Sequence, residues 1–199
     1  MVILYEVHDN LYVNMTNKCP CSCVFCLRQT KDEMNHSGSL WLEREPSVAE
    51  VIAEFAKFDM EKYKEVVFCG FGEPTERLED LLQVAEFVKK TYQKTTRINT
   101  NGLSDLIYGK DTSSLFKDRI DIVSISLNTP NKERYLELTR SKFGMDSFDA
   151  MLRFAENVRK QVKQVILTTV STTLTPKEEE ECRKICEKIH VTYRIRAFE

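Results

Sequence analysis

Six short runs rich in Val, Ile, Thr, Tyr or Phe recur along this chain, separated by stretches with the apolar spacing of amphipathic helices. Residues 11–16, 65–69, 96–100, 120–128, 165–171 and 191–197 read as strands. An additional short strand over 2–7 either hairpins onto the first through His8-Asp9-Asn10 or lies across the bottom of the sheet. Strand–helix alternation of this kind demands a parallel sheet with helices covering its outside.

The helices have legible starts. Ser47-Val48-Ala49-Glu50 is a capping-box pattern, and Val48, Val51, Ile52, Phe55 and Ala56 behind it share one face. Leu78, Leu81, Leu82, Ala85 and Val88 form a second stripe, and Phe148, Met151, Leu152, Ala155 and Val158 a third. Thr175-Pro176-Lys177-Glu178 joins a cap residue, Pro at the first helical position and a carboxylate at the positive helix end.

A flat doubly wound sheet would need strands that are apolar on both faces. The fourth run instead alternates Ser124, Ser126 and Asn128 with Val123, Ile125 and Leu127, and the third places Asn99 and Asn101 around Thr100. A polar inner face predicts a ligand cavity, so the expected fold is α/β, an open partial (β/α)6 barrel of parallel strands. At 199 residues, one core domain over 1–199 is expected.

A formal charge of −2 gives no broad basic field, and composition does not indicate nucleic acid or an anionic membrane as a main partner. The N-terminus lacks the features of a signal peptide, and no run approaches the ~20 apolar residues of a spanning helix. Seven cysteines, an odd and clustered set, do not form a secreted disulfide framework, so the cytoplasm is expected. Cys182 and Cys186, with Ile185 and Ile189, fall on one helix face and read as core thiols; Cys69 reads as packing.

The remaining cysteines, in TNKCPCSCVFCLR, carry the chemistry. Cys19, Cys23 and Cys26 form C-x3-C-x2-C, three thiolates able to converge from one loop. Structural zinc normally closes with four ligands, for which Cys21 or His36 is available. A cubane iron–sulfur cluster on three thiolates keeps one iron open. Spacing alone leaves both readings standing. Position narrows them: chemistry in parallel barrels gathers at the C-terminal strand ends, where the cysteine loop, Gly70-Phe71-Gly72-Glu73-Pro74, Asn99-Thr100-Asn101-Gly102, Ser126-Leu127-Asn128 and residues 168–172 all lie.

The phrase CPCSCVFC, with an aromatic before its last cysteine, resembles the cluster loop of radical S-adenosylmethionine (radical SAM) enzymes. GFGEP resembles their Gly-Gly-Glu-Pro motif, with Phe71 in place of the second glycine. The resemblance implies a [4Fe–4S] cluster on Cys19, Cys23 and Cys26 and a SAM molecule chelated at the open iron. An electron from the cluster would split SAM into methionine and a 5′-deoxyadenosyl radical, and a flavodoxin or ferredoxin would supply that electron. It further implies cofactor contacts from Phe25, Gly70, Phe71, Gly72, Glu73, Asn99, Ser126, Asn128 and Thr168, and a carboxylate partner in Arg140, which is placed in a loop after 131–139. Cys21 fits no ligand slot and is read as a bystander.

With LWLEREPS at 40–47 and RIRAF at 194–198, the motifs resemble the TatD-associated radical SAM proteins, which implies an association with a TatD-type metal-dependent hydrolase. The substrate is left unidentified. Two competing roles are a glycyl-radical activase, from whose Asp-Leu-Lys pattern Ser126-Leu127-Asn128 departs, and a non-catalytic zinc or iron–sulfur interaction module. Residues 29–45 exceed the usual ~2–6 of a βα connection. They are expected to form a lid or docking loop anchored by Trp41, the only tryptophan, or else an insertion with Trp41 tucked into the core.

Overall fold

In the computed structural model of the chain, which describes residues 1–29, 31 and 37–197, seven strands form one sheet in sequential order. Strand β1 (Leu4–Val7) pairs antiparallel with β2 (Asn10–Val13). The hairpin turns at His8, whose φ of 52° is left-handed, so of the two placements open to residues 2–7 the hairpin is the one adopted. From β2 onward every pairing is parallel: β3 (Glu65–Phe68), β4 (Thr95–Thr100), β5 (Ile122–Ser126), β6 (Gln164–Val170) and β7 (Thr192–Arg196). β7 pairs with β6 alone, so the sheet curls without closing and the fold is an open partial (β/α)6 barrel.

Helices α1 (Val48–Glu54), α2 (Leu78–Tyr92), α3 (Ser104–Tyr108), α4 (Lys132–Thr139), α5 (Asp146–Val158) and α6 (Pro176–Lys188) connect the strands. Ser47 and Thr175 both close reciprocal capping boxes, with Glu50 and Glu178. On α2, Leu78, Leu81, Leu82, Ala85 and Val88 are buried; on α5, Phe148, Met151, Ala155 and Val158 are, with Leu152 at the margin. They pack on Val66, Phe68, Ile98, Val123, Ile125, Val165 and Leu167, one alternate set from each strand. Cys182 and Cys186 are buried core thiols, both pushed up to about 12 by burial.

Two strand ranges differ from expectation. The first strand ends at Val13 rather than 16. The fourth spans Ile122–Ser126, because Ile120 N bonds back to Phe116 O, while Asn128 turns with φ 66°. Residues 132–139 are helical, capped by the Asn131 side chain on Arg134 N, and Arg140 follows them as the left-handed first residue after α4, the place expected for it.

At the N-terminal strand ends one carboxylate braces three elements. Asp121 is 4 % exposed, accepts from Thr96 N at 3.0 Å, and pairs with Lys89 at 2.7 Å and Lys163 at 2.9 Å.

Candidate active site

The opposite, C-terminal strand ends carry the polar loops. After β2 the chain passes through buried Asn14 and Thr16 into the cysteine loop. Ser22 N bonds Thr139 O and Val24 N bonds Leu138 O, at 3.0 and 2.9 Å, and Lys142 N bonds Pro20 O at 2.9 Å. The loop thus runs as a ladder against the end of α4, which places Arg140 beside it. Arg28 Nη2 donates to Cys21 O at 3.3 Å and Gln29 Nε2 to Cys23 O at 2.9 Å.

Cys19, Cys23 and Cys26 are partly exposed, whereas Cys21 is buried between Cys19 and Cys23. Hydrogen bonds from the Cys21 thiol hold Cys19 and Cys23 below the usual thiol range, and the same bonds push Cys21 up. Burial raises Cys26. Phe25 is 48 % exposed and Val24 45 %, so the aromatic faces solvent. His36 lies outside the described residues.

The GFGEP loop after β3 locks onto this segment. A Cβ at Gly72 would stand 2.2 Å from Thr16 O and 2.7 Å from Lys18 O; at Gly70 it would stand 2.1 Å from Asn14 Oδ1. At Gly72, where the neighbours are backbone carbonyls, only a residue without a side chain allows the two segments so close; at Gly70 the neighbour is the Asn14 side chain. Glu73 is buried and donates its N–H to Lys18 O at 2.7 Å. Its carboxylate accepts from Thr75 Oγ1 (2.7 Å), Thr100 Oγ1 (2.6 Å) and Asn101 N (2.8 Å). Burial pushes this carboxyl up, against those hydrogen bonds. Glu73 therefore ties three loops together. Phe71 is buried with Tyr5 and Leu40 in a second apolar cluster, and Trp41 meets it edge-on at 5.2 Å.

The strap over residues 37–46 is pinned by side chains. Asn14 Nδ2 donates to Leu40 O at 2.8 Å. Asn17 donates to Leu42 O at 2.8 Å and accepts from Leu42 N at 3.1 Å, imitating one rung of a sheet. Thr16 Oγ1 donates to Glu45 Oε1 at 2.7 Å. Leu40 and Leu42 are buried while Trp41 is 40 % exposed, so of the two placements weighed for Trp41 it takes neither in full: its neighbours enter the core and it covers Phe71.

Strand alternation turns Tyr12, Val67, Cys69, Arg97, Asn99, Ser124, Ser126 and Thr168 into the barrel lumen. Asn99 hydrogen-bonds the Cys69 thiol, and its own Oδ1 is buried without a partner among the described residues. Thr168 Oγ1 donates to Ile125 O at 3.3 Å, and Thr168 O accepts from Leu127 N and Asn128 N. Cys69 is thus a lumen residue as well as a packing one.

Against protein-family models, residues 13–189 match the radical SAM superfamily. The chain belongs to the radical SAM superfamily. A GTP 3′,8-cyclase of Clostridium perfringens is 26 % identical over 165 residues, covering 80 % of this chain and 47 % of that protein. A probable GTP 3′,8-cyclase of Methanocaldococcus jannaschii is 31 % identical over 137 residues, covering 68 % and 41 %. The chain thus spans less than half the length of these curated relatives. A crystal structure of a radical SAM methyltransferase from Sphaerobacter thermophilus matches with a TM-score of 0.69 at 15 % identity, over 98 % of this chain and 57 % of that one.

Radical SAM membership implies SAM and a [4Fe–4S] cluster. The donor set is of the right chemistry: soft thiol ligands on one loop, two of them with lowered proton affinity. Among the described residues, no three ligand side chains converge closely enough to hold a single ion. Sequence reasoning missed Asn14, Asn17 and Tyr135. Tyr135, on α4, is 1 % exposed; burial and the neighbouring Cys21 and Cys23 raise its pKa, and its hydroxyl has no partner among the described residues.

Proposed function

We propose that this chain is a radical SAM catalytic core in which Cys19, Cys23 and Cys26 hold a [4Fe–4S] cluster that binds SAM. The carrying observation is the lock between the two loops: three partly exposed thiols stand on a segment whose Thr16 and Lys18 carbonyls touch Gly72. When bound, the cluster supplies the electron that divides SAM into methionine and a 5′-deoxyadenosyl radical. The protein's part is placement. Gly70 and Gly72 bring backbone to the methionyl end, and Glu73 fixes that backbone from behind. Ser126, Asn128 and Thr168 line the far wall for the ribose or carboxylate, with Arg140 beside the cysteine loop as the other carboxylate partner. Asn99 faces the lumen where a substrate C–H bond would lie. Phe25, exposed on the cysteine loop, is the aromatic side chain available to adenine.

This reading treats 1–199 as one core with a substrate not yet assigned. The seven free cysteines suit the cytoplasm, and a flavodoxin or ferredoxin is the electron source. The likeness to the TatD-associated group is retained as a proposal, with a TatD-type hydrolase as candidate partner.

Anaerobic reconstitution tests the core claim. About four irons with matching sulfide per chain are expected, and reduced protein with SAM should yield 5′-deoxyadenosine. Cys19→Ala, Cys23→Ala and Cys26→Ala should each lose the cluster, while Cys21→Ala should keep most of it. Stoichiometric zinc without sulfide would refute the assignment.

A further inference from the structure

The last strand carries charge into the lumen that the cofactor reading leaves unused. On β7, Tyr193 faces outward: its hydroxyl lies 2.7 Å from Thr169 Oγ1, and the Arg183 guanidinium stacks 5.6 Å from its ring. Alternation therefore turns Arg194 and Arg196 inward, in register with Thr168 and Val170 of β6. Across the lumen, Arg97 of β4 pairs with Glu65 of β3 at 2.9 Å. Arg194 lies within electrostatic reach of Arg97, Arg196, Glu65 and Tyr12, and Arg196 and Arg97 both act on Cys69. Three arginines, one on β4 and two on β7, thus turn to the same lumen side of the sheet.

Like charges turned to one side of a sheet repel, and an anion seated between them relieves that repulsion. Glu65 balances one. It is the only carboxylate among the lumen-facing positions of β2 to β7, since the Glu73 carboxylate is occupied by Thr75, Thr100 and Asn101. Neither Arg194 nor Arg196 makes an ion pair among the described residues, and Glu65, which Arg194 senses, is already paired with Arg97. Two positive charges are left over. A phosphate monoester carries about −1.5 to −2 at neutral pH and offers oxygens that match guanidinium forks; a single carboxylate would neutralise only half. The unpartnered Asn99 Oδ1 on the same face supplies an acceptor for a hydroxyl or amine near the phosphate.

We propose that Arg194 and Arg196, with Arg97 behind them, anchor a phosphate group of a small-molecule substrate inside the barrel lumen. This inference rests on the lumen being the substrate cavity of a radical SAM enzyme, and its test separates the two claims. Calorimetric titration of the reconstituted chain would use ribose 5-phosphate and inorganic phosphate as probes, malonate as the dicarboxylate comparison, and SAM as an independent ligand. Wild-type protein should bind ribose 5-phosphate. Arg194→Gln and Arg196→Gln should each weaken that binding at least tenfold and leave SAM affinity unchanged. β7 is the open edge of the sheet, so both lumen-side arginines remain exposed to solvent and the variants should melt with the wild type; Arg194→Lys, which keeps the charge without the fork, should bind with intermediate affinity and covers the case of a variant that melts early. The proposal is overturned by absent phosphate binding in the wild type, by affinity unchanged in both Gln variants, by malonate binding as tightly, or by SAM affinity falling in parallel. Failure of wild-type protein to make 5′-deoxyadenosine while Arg-dependent phosphate binding persists would refute the enzyme reading and keep the anion site.

Discussion

At position 72 a single methyl group would stand 2.2 Å from one backbone carbonyl oxygen, and the Thr16 and Lys18 carbonyls cannot rotate away as a side chain can. Gly72→Ala should therefore push the cysteine segment off the GFGEP loop, costing about 1–3 kcal/mol, read as a lower urea midpoint and poorer iron retention after gel filtration. Glu73→Gln probes the same junction from the other side. An amide keeps one acceptor oxygen and presents a donor to the remaining partners, so it should cost about 1–3 kcal/mol and lower SAM affinity without removing iron. Retained SAM affinity in an otherwise folded variant would deny Glu73 its positioning role. The GFGEP glycines and the cysteine spacing were legible because their chemistry is local in sequence. Asn17 and the three lumen arginines were not: an Asn just before a cysteine loop reads as a turn residue, and Arg97 and Arg194 come to the same lumen only through the sheet's register.

Element by element, the strand–helix alternation was readable because each unit buries one apolar stripe. Helix α4 escaped that reading for a physical reason. Only Tyr135 and Thr139 are buried along it, so KERYLELT shows little periodicity, and its best signal was the Asn131 cap. The element most exposed to pH is the barrel bottom. Burial alone would raise Asp121, but hydrogen bonds from Lys163, Lys89 and Thr96 outweigh it and bring its pKa down to about 2. A depressed folded-state pKa contributes stability that is present above the unfolded value, about 3.9, and lost as pH falls towards 2. Asp121→Asn should destabilise the fold by about 2 kcal/mol at neutral pH. Melting curves of the wild type should approach those of the variant between about pH 4 and 2; a constant gap across that range would count against the brace.

On the scale of the whole molecule, the segment expected as a lid divides in two. Residues 37–46 belong to the fold through Leu40, Leu42 and the Asn14 and Asn17 amides, whereas 30 and 32–36 lie outside the described residues. A deletion that shortens 29–45 but keeps Trp41 and its buried neighbours is expected to preserve iron content and SAM binding and to impair turnover. Leu40→Ala should cost about 2–5 kcal/mol by opening a cavity beneath the strap. If the deletion also leaves turnover of the true substrate intact, the lid role is lost. The strap also carries an optical consequence. Trp41 is the chain's sole indole, and it rests on Phe71 while Asn17, two residues before Cys19, holds its neighbour Leu42. Loading metal into the cysteine loop and seating a ligand against GFGEP disturb the two supports of one fluorophore. The unlabelled protein should therefore report each event as a separate change in tryptophan emission, which makes the order of cluster insertion and ligand capture observable in a stopped-flow cell.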